Sequence, residues 1–184
     1  MSRKLYIITG PSGVGKTTVA MELLKRRPTL KKVVTCTTRK IREGEIDGVS
    51  YHFLNRETFQ QLIDEGGMFE WDEHYENLYG SRRSDVKALM EAGNDVLFVV
   101  DVAGAKTIKE TAPEATLIFI EAESVNQLME RIAKRDKGTT AGLSQRRAAI
   151  EREMTFARSA DHKVVNKEDK LEETVDQIQA LMDA

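Results

Sequence analysis

The chain has 184 residues, of which 40% are hydrophobic and 32% are charged, with a net charge of −2 at pH 7. This length and hydrophobic content suit one compact domain with a substantial core. The balanced charge argues against a nucleic-acid binder, because such proteins show a basic excess. The single cysteine, Cys36, excludes an internal disulfide and suits a reducing compartment. Since no apolar run approaches the roughly 20 residues of a membrane helix, we expect a cytoplasmic protein that does not interact with membranes.

Short apolar runs predict four strands, at 5–8, 96–100, 117–120 and 163–165. Their continuous apolar character is typical of parallel strands that are covered on both faces. Helical periods lie between them, first over 17–26 and then as two apolar stripes, Val125, Leu128, Met129 and Ile132, and Leu171, Val175, Ile178 and Leu181. Strands that alternate with helices predict an α/β fold around a parallel sheet, with both stripes in the core.

Residues 35–83 interrupt this alternation and predict a small inserted subdomain. The segment indicates short strands, a helix near 57–65 that Asn55 would cap, and then the aromatic-rich sequence "MFEWDEHYENLYGS". Farther along, residues 136–145 read "DKGTTAGLSQ", a polar stretch with two glycines that predicts a mobile loop.

The sequence "GPSGVGKTT" at 10–18 fits the phosphate-binding P-loop pattern, and it lies between a predicted strand and a predicted helix. Its glycines let backbone N–H groups turn towards phosphate oxygens, and the helix N-terminus that follows favours an anion. Lys16 would supply positive charge to the phosphates, and the Thr17 hydroxyl would bind Mg²⁺. The remaining candidate nucleotide-binding residues of this loop are Gly10, Ser12, Gly13, Val14, Gly15 and Thr18.

A P-loop alone does not distinguish a GTPase, an ATPase and a kinase. Residues 166–169 read "NKED" and carry the letters of the N-K-x-D signature typical of GTPases, but they lie in a late loop and do not make a convincing GTPase signature. A second candidate site must therefore indicate the reaction.

The stretch "TCTTRKIREGEIDGVSYHF" at 35–53 carries Arg39 and Arg42, and guanidinium groups bind phosphate in a bidentate manner. Tyr51 and Tyr79 add phenol groups, and a carboxylate such as Glu70 would suit the guanine edge, which presents an amino group beside an N–H. These residues indicate either a pocket for a phosphorylated acceptor or a solvated insertion whose arginines pair with its own glutamates.

Together these motifs resemble the guanylate kinase family, and the resemblance runs nearly end to end. The P-loop matches "GPSGVGKTT", the GMP-binding signature matches "TTRKIREGEIDGVSYHF", and "FEWDEHYENLYGS" matches the segment that completes the pocket. The resemblance implies a three-layer, parallel-sheet P-loop NTPase core (1–34, 84–135 and 146–184), with an inserted nucleotide-monophosphate-binding subdomain (35–83) and a lid (136–145).

The resemblance also implies roles for individual residues. The residues expected to hold the GMP phosphate are Arg39, Arg42, Tyr51 and Tyr79. Those expected near the guanine are Glu70, Ser81, Thr35 and Asp101. Arg135 and Arg146 match lid arginines that close over the ATP phosphates, and Asn166 matches a residue near the adenine. The residues expected to act directly in phosphoryl transfer are Lys16, Arg39, Arg135 and Arg146.

Four positions differ from the family pattern. Thr35 and Cys36 stand where serines are expected, Ile41 where proline is expected, and Ala103 where glutamine is expected. None of these differences removes a charge that the chemistry requires.

The implied reaction converts ATP and GMP, with dGMP as a second acceptor, into ADP and the nucleoside diphosphate, in purine nucleotide metabolism. Two alternatives stay open: a kinase for another small phosphorylated acceptor such as a ribose phosphate, and a non-catalytic binding module of the same fold. The sequence leaves the oligomeric state open between monomer and homodimer.

Overall fold

The computed structural model describes residues 3–74, 76–135 and 143–184. In chain order its elements are β1 (Leu5–Thr9), α1 (Lys16–Arg26), β2 (Leu30–Lys32), β3 (Cys36–Thr37), β4 (His52–Phe53), α2 (Arg56–Asp64), β5 (Met68–His74), β6 (Asn77–Arg82), α3 (Arg83–Glu91), β7 (Asp95–Val99), α4 (Val102–Thr111), β8 (Thr116–Glu121), α5 (Val125–Arg135), α6 (Leu143–Thr155), a 3₁₀ helix (Phe156–Ser159), β9 (His162–Val165) and α7 (Leu171–Asp183).

Five strands form a parallel sheet in the order β2-β7-β1-β8-β9. In the centre of this sheet, Ile7 of β1 pairs with Phe98 on one side and with Leu117 on the other. The four strands predicted from apolar runs are confirmed. The fifth, β2, was not predicted, because its sequence is "LKK" and contains one apolar residue only.

Helices cover both faces of this sheet, as the continuous apolar strands predict. Tyr6 and Ile8 of β1 face a core that includes residues of α1, α5 and α7, whereas Leu5 and Ile7 face a core that includes residues of α3 and α4. The alternation follows the two-residue period of a strand. Both predicted helical stripes pack in the first of these cores.

The first strand and the first helix are also joined to α7. The Tyr6 hydroxyl donates a hydrogen bond to the carbonyl of Met182 at 3.0 Å. Arg26 of α1 forms ion pairs with Asp176, at 2.6 Å, and with Glu172. These contacts fix the helix that follows the P-loop against a helix more than 140 residues later in the chain.

A second sheet lies between β2 and α3 in the chain, with the order β4-β3-β6-β5. It has a small core of its own, made of Cys36, Phe59, Met68 and Leu78. The predicted helix of this segment is confirmed as α2, and the Asn55 side chain accepts a hydrogen bond from the backbone N–H of Thr58 at 2.7 Å. In the part of the chain that the structure describes, no helix has the length and apolar character to cross a membrane.

Candidate active site

The P-loop joins the end of β1 to the start of α1, and its turn requires glycine. Gly10 has a φ of 146°, and a Cβ at this position would collide with the carbonyl oxygen of Ile120. Gly15 caps α1 with a φ of 97°, and a Cβ there would lie 2.6 Å from Nδ2 of Asn166. The Lys16 ammonium donates to the carbonyls of Gly10 and Pro11, at 2.6 and 3.1 Å. These bonds hold the Lys16 ammonium group against the first two residues of the P-loop.

Asn166 follows β9 and fastens the P-loop to the sheet. Its buried side chain donates through Nδ2 to the Val14 carbonyl at 2.8 Å and accepts through Oδ1 from the Thr174 hydroxyl at 3.0 Å. The backbone N–H of Asn166 bonds to Glu121 at the end of β8. Since both ends of the amide have protein partners, the Asn166 side chain serves as a structural tie.

The candidate phosphate-binding arginines lie on the loop between β3 and β4. Arg39 forms a fork with Glu45, with nitrogen–oxygen distances of 2.7 and 3.0 Å, and its guanidinium lies 5.4 Å from the Tyr51 ring centre. Glu45 also accepts the backbone N–H of Arg42 at 2.8 Å. The hydrogen bond from Arg39 lowers the pKa of Glu45. The loop therefore holds Arg39 in place, while the Arg42 side chain is exposed.

Glu70 on β5 and Ser81 on β6 are direct cross-strand partners, and both are buried. The Ser81 hydroxyl donates to Oε1 of Glu70 at 2.7 Å. Burial raises the pKa of Glu70 to about 7; the charges of Asp101 and Asp72 act in the same direction, and the Ser81 hydrogen bond opposes them. The pocket thus contains a carboxyl group that ionises near neutral pH.

Asp101 follows β7 and caps α4. Its Oδ1 accepts the backbone N–H of Gly104 at 2.9 Å. A Cβ at Gly104 would lie 3.3 Å from Oε2 of Glu70 and 3.5 Å from Oδ1 of Asp101. The absence of a side chain at Gly104 therefore leaves room for both carboxylates at this point.

One cavity of about 290 Å³ unites the two regions that the sequence singled out. It lies between the carboxyl edge of the parallel sheet and the second sheet, a usual position for ligands in such folds. Its lining comprises Gly10, Ser12, Lys16, Thr17, Thr35, Tyr51, Glu70, Asp72, Tyr79, Gly80, Val99, Val100, Asp101, Gly104 and Glu153. A single ligand-sized space therefore contacts both the P-loop and the inserted subdomain.

A second cavity, of about 320 Å³, lies on the other side of the P-loop. Its lining comprises Gly13, Gly15, Thr18, Arg131, Asn166, Lys167, Glu168, Asp169 and Leu171.

Comparison with known proteins agrees with this geometry. The guanylate kinase family model matches residues 2–184. The chain belongs to the guanylate kinase family. The guanylate kinase of Synechocystis sp. is 41% identical over 163 residues, which are 89% of this chain and 85% of that protein. The guanylate kinase of Thermus thermophilus is 39% identical over 184 residues, which are 100% of this chain and 82% of that protein.

Solved structures give the same family and the same core. The crystal structure of guanylate kinase from Anaplasma phagocytophilum has a TM-score of 0.78 and 28% identity, and the match covers 98% of this chain and 85% of that one. Shikimate kinase from Bacteroides thetaiotaomicron shares the fold alone, with a TM-score of 0.54 and 13% identity. The predicted α/β fold, with a three-layer parallel-sheet P-loop NTPase core, is therefore confirmed.

The predicted guanylate kinase site residues fall into three groups. Those that line the first cavity are Gly10, Ser12, Lys16, Thr17, Thr35, Tyr51, Glu70, Tyr79 and Asp101, and those that line the second are Gly13, Gly15, Thr18 and Asn166. Outside both linings, Ser81 bonds to Glu70, Val14 is buried in the core, and Arg39 and Arg42 lie on the β3–β4 loop. The roles of all these residues stay predictions.

The predicted lid falls largely outside the described residues, which omit 136–142. Arg135 is the last residue of α5, and its side chain is also outside the description. Leu143 already begins α6, so the end of the predicted loop is helical. Arg146 lies in the first turns of that helix and is half-buried.

Two acidic residues of the first cavity were missed by the sequence analysis. Asp72 follows Glu70 by two residues on a strand, and the period of two could have indicated that both face the same side. Glu153 follows Arg146 by seven residues on α6, which is two helical turns. Of the four departures from the family pattern, Thr35 alone lines the cavity.

Proposed function

We propose that this chain transfers the γ-phosphoryl group of ATP to the phosphate of GMP, and also to that of dGMP, giving ADP and the nucleoside diphosphate. The observation that carries the proposal is the shared cavity, in which Lys16 and Thr17 lie with Glu70 and Tyr79. Phosphoryl transfer needs a donor and an acceptor brought together in a space closed to water, and little covalent participation by the protein.

The donor would bind along the P-loop, with its phosphates at the backbone N–H groups that open α1. Lys16 would exchange its bonds to Gly10 and Pro11 for bonds to phosphate oxygens. Mg²⁺ would accompany ATP and supply neutralisation of phosphate charge. Thr17 fits as its protein ligand, because its hydroxyl is a hard oxygen donor on an exposed residue beside Lys16 in the cavity.

The acceptor base would bind at Glu70 and Ser81, with Thr35 and Asp101 beside them. Guanine presents an N–H and an amino group on one edge, and an ionised carboxylate accepts from both. Ser81 holds Oε1 of Glu70, which fixes the plane of the carboxylate. Adenine lacks the adjacent N–H donor, so an ionised Glu70 would discriminate against AMP.

The acceptor phosphate would bind to Arg39, Arg42, Tyr51 and Tyr79. One of its oxygens would attack the γ-phosphorus in line, and no general base is needed because this phosphate is already an anion. Arg135 and Arg146 would offset the charge that spreads over the transferred group, as arginine fingers do. The proposed division is an acceptor subdomain at 35–83 and a lid at 136–145, which close over the core.

The test is ADP formation from ATP and Mg²⁺ in a coupled assay with GMP, dGMP, AMP, CMP, UMP and ribose 5-phosphate as separate acceptors. We expect turnover with the two guanine nucleotides and loss of at least about a thousandfold in Lys16→Ala, in line with the loss of a group that stabilises transition-state charge. Lys25→Ala is the matched control, because it removes the same charge from the exposed surface of α1 and should keep full activity.

Turnover with ribose 5-phosphate and not with GMP would favour the other small-acceptor kinase and remove the guanine pocket from the proposal. GMP binding without any turnover would favour the binding module. A cytoplasmic location and a place in purine nucleotide metabolism form part of the same proposal.

A further inference from the structure

Asp72 lies on β5 of the second sheet and lines the first cavity. On β5 it is two residues beyond Glu70 and lines the same cavity, whereas Trp71 between them is 43% exposed. Across the ladder Glu70 pairs with Ser81, and Asp72 pairs with Tyr79. The second sheet therefore presents these two cross-strand pairs to the cavity side by side, about 7 Å apart along the strand.

These two pairs correspond to two parts of the proposed acceptor. The Glu70–Ser81 pair would contact the base, and Tyr79 of the second pair would contact the phosphate. In a nucleoside monophosphate the sugar joins these two groups. Tyr79 reaches far from the strand through its ring, whereas the short Asp72 side chain stays near it, so the two members of the second pair meet different parts of the ligand.

The chemistry of a carboxylate selects its partner on the nucleotide. It only accepts hydrogen bonds, and it is repelled by phosphate. Among the residues that the structure describes, none donates a hydrogen bond to the Asp72 side chain. The hydrogen-bond donors that a nucleotide offers between base and phosphate are the 2′- and 3′-hydroxyls of its sugar.

We propose that Asp72 is a sugar-binding residue, which accepts a hydrogen bond from the ribose 2′-hydroxyl and makes the enzyme prefer ribonucleotide over deoxyribonucleotide acceptors. This inference rests on the proposed function and deepens it. A hydrogen bond to a charged acceptor sets the expected preference at about tenfold or more in kcat/KM.

The experiment compares kcat/KM for GMP, 2′-deoxy-GMP and 3′-deoxy-GMP at saturating ATP. In the unmodified protein GMP should exceed 2′-deoxy-GMP by about tenfold. In Asp72→Ala the ratio should fall to about one because the value for GMP declines, and Asp72→Asn should give an intermediate ratio, because its amide oxygen still accepts. Glu73→Gln is the matched control: it changes the adjacent carboxylate, which pairs with Arg56, and should keep the original ratio.

Equal use of GMP and 2′-deoxy-GMP by the unmodified protein would overturn the inference, and so would an unchanged ratio in Asp72→Ala. A rise for both nucleotides in Asp72→Ala would also overturn it, because it would show that Asp72 acts by repelling the phosphate. In each of these cases GMP is still phosphorylated, so the proposed function survives. Absence of turnover with every guanine nucleotide would contradict the proposed function and this inference together.

Discussion

Glu70 is a group whose chemical role opposes its contribution to stability. The guanine-binding role that we propose for Glu70 requires the carboxylate, but burial favours the neutral acid and raises the pKa to about 7. Residues with such conflicts are common at functional sites, because selection for stability alone would remove them. Two measurable consequences follow, one for activity and one for stability.

We expect kcat/KM for GMP to fall as the pH drops below about 7, because protonated Glu70 no longer accepts both guanine donors. The profile of kcat/KM reports ionisation in the free enzyme, so the midpoint should lie near the pKa of about 7. The KM for ATP should change little over the same range. A flat GMP profile between pH 6 and 8 would contradict the role of Glu70.

Glu70→Gln should stabilise the fold at high pH while it impairs GMP binding. The pKa of Glu70 is raised in the folded protein from 4.5 to about 7, so the carboxylate destabilises the fold fully above about pH 7 and not at all below about 4.5. This difference corresponds to a gain of up to about 3 kcal/mol at pH 8.5, diminishing towards acid pH. Urea unfolding of both proteins at pH 8.5 and 5 measures it, and a larger gain at pH 5 would contradict the assignment.

Glu45 is expected to position the arginine that receives the acceptor phosphate. Glu45→Gln weakens the fork that holds Arg39, so the KM for GMP should rise several-fold and the KM for ATP should stay constant. Glu43→Gln removes the same charge from an exposed residue of the same loop and is the matched control. Guanosine lacks the phosphate, and its inhibition constant should be the same in all three proteins. A change in guanosine binding would indicate general distortion of the subdomain.

At the scale of elements, the P-loop and α1 depend on contacts from distant strands. Gly15 lies against Asn166, which also bonds to Val14 and thereby connects the loop to β9 and α7. The motif predicts the loop, but it does not predict these ties. Asn166 was expected near the adenine, and this stays a prediction; its side chain lines the second cavity and has one protein partner at each end of the amide.

Gly15→Ala should weaken ATP binding far more than it lowers the stability of the fold. Its φ is 97° and its new Cβ would lie 2.6 Å from Asn166, so the loop must shift. Gly66→Ala is the matched control, because it has a φ of 67° with nothing within 4 Å. Both should cost about 1–2 kcal/mol for the left-handed backbone, but Gly15→Ala alone should raise the KM for ATP. Equal ATP kinetics in the two variants would show that the contact with Asn166 is unimportant.

The elements that the sequence predicted well are those with a strong local signal. The apolar runs of β1, β7, β8 and β9 and the Asn55 cap of α2 indicate their own structure. By contrast, β2 has two lysines in three residues and forms because β7 offers it an edge. The pairing of Glu70 with Ser81 depends on the β5–β6 register, which no local pattern states; the family resemblance indicated these residues, but not their hydrogen bond.

At the scale of the whole molecule, the two sheets differ in how much core supports them. The parallel sheet lies between two large clusters, whereas the cluster that belongs to the second sheet has four buried residues in the part of the chain that the structure describes. Local stability follows buried apolar contact, so the second sheet should open more readily than the first.

We therefore expect amide hydrogens of β3 and β6 to exchange with solvent faster than those of β1 and β8. GMP should slow exchange in β5 and β6, since a ligand bound to the closed form stabilises it. ATP alone should protect the P-loop and α1 and leave β5 and β6 unchanged. Hydrogen-exchange mass spectrometry measures exchange in the free protein, with GMP and with ATP alone. Uniform protection across both sheets would contradict the expectation.

The hydrogen bond between Tyr6 and Met182 and the ion pairs between α1 and α7 have a consequence for biosynthesis. The ribosome releases β1 before its sheet neighbours β7 and β8, and it releases α7, which covers β1, later still. Until these elements are available, the apolar run "LYII" is exposed to solvent, and we expect a chaperone to bind it. The nucleotide-binding loop therefore leaves the ribosome before the strands and the helix that hold it in place.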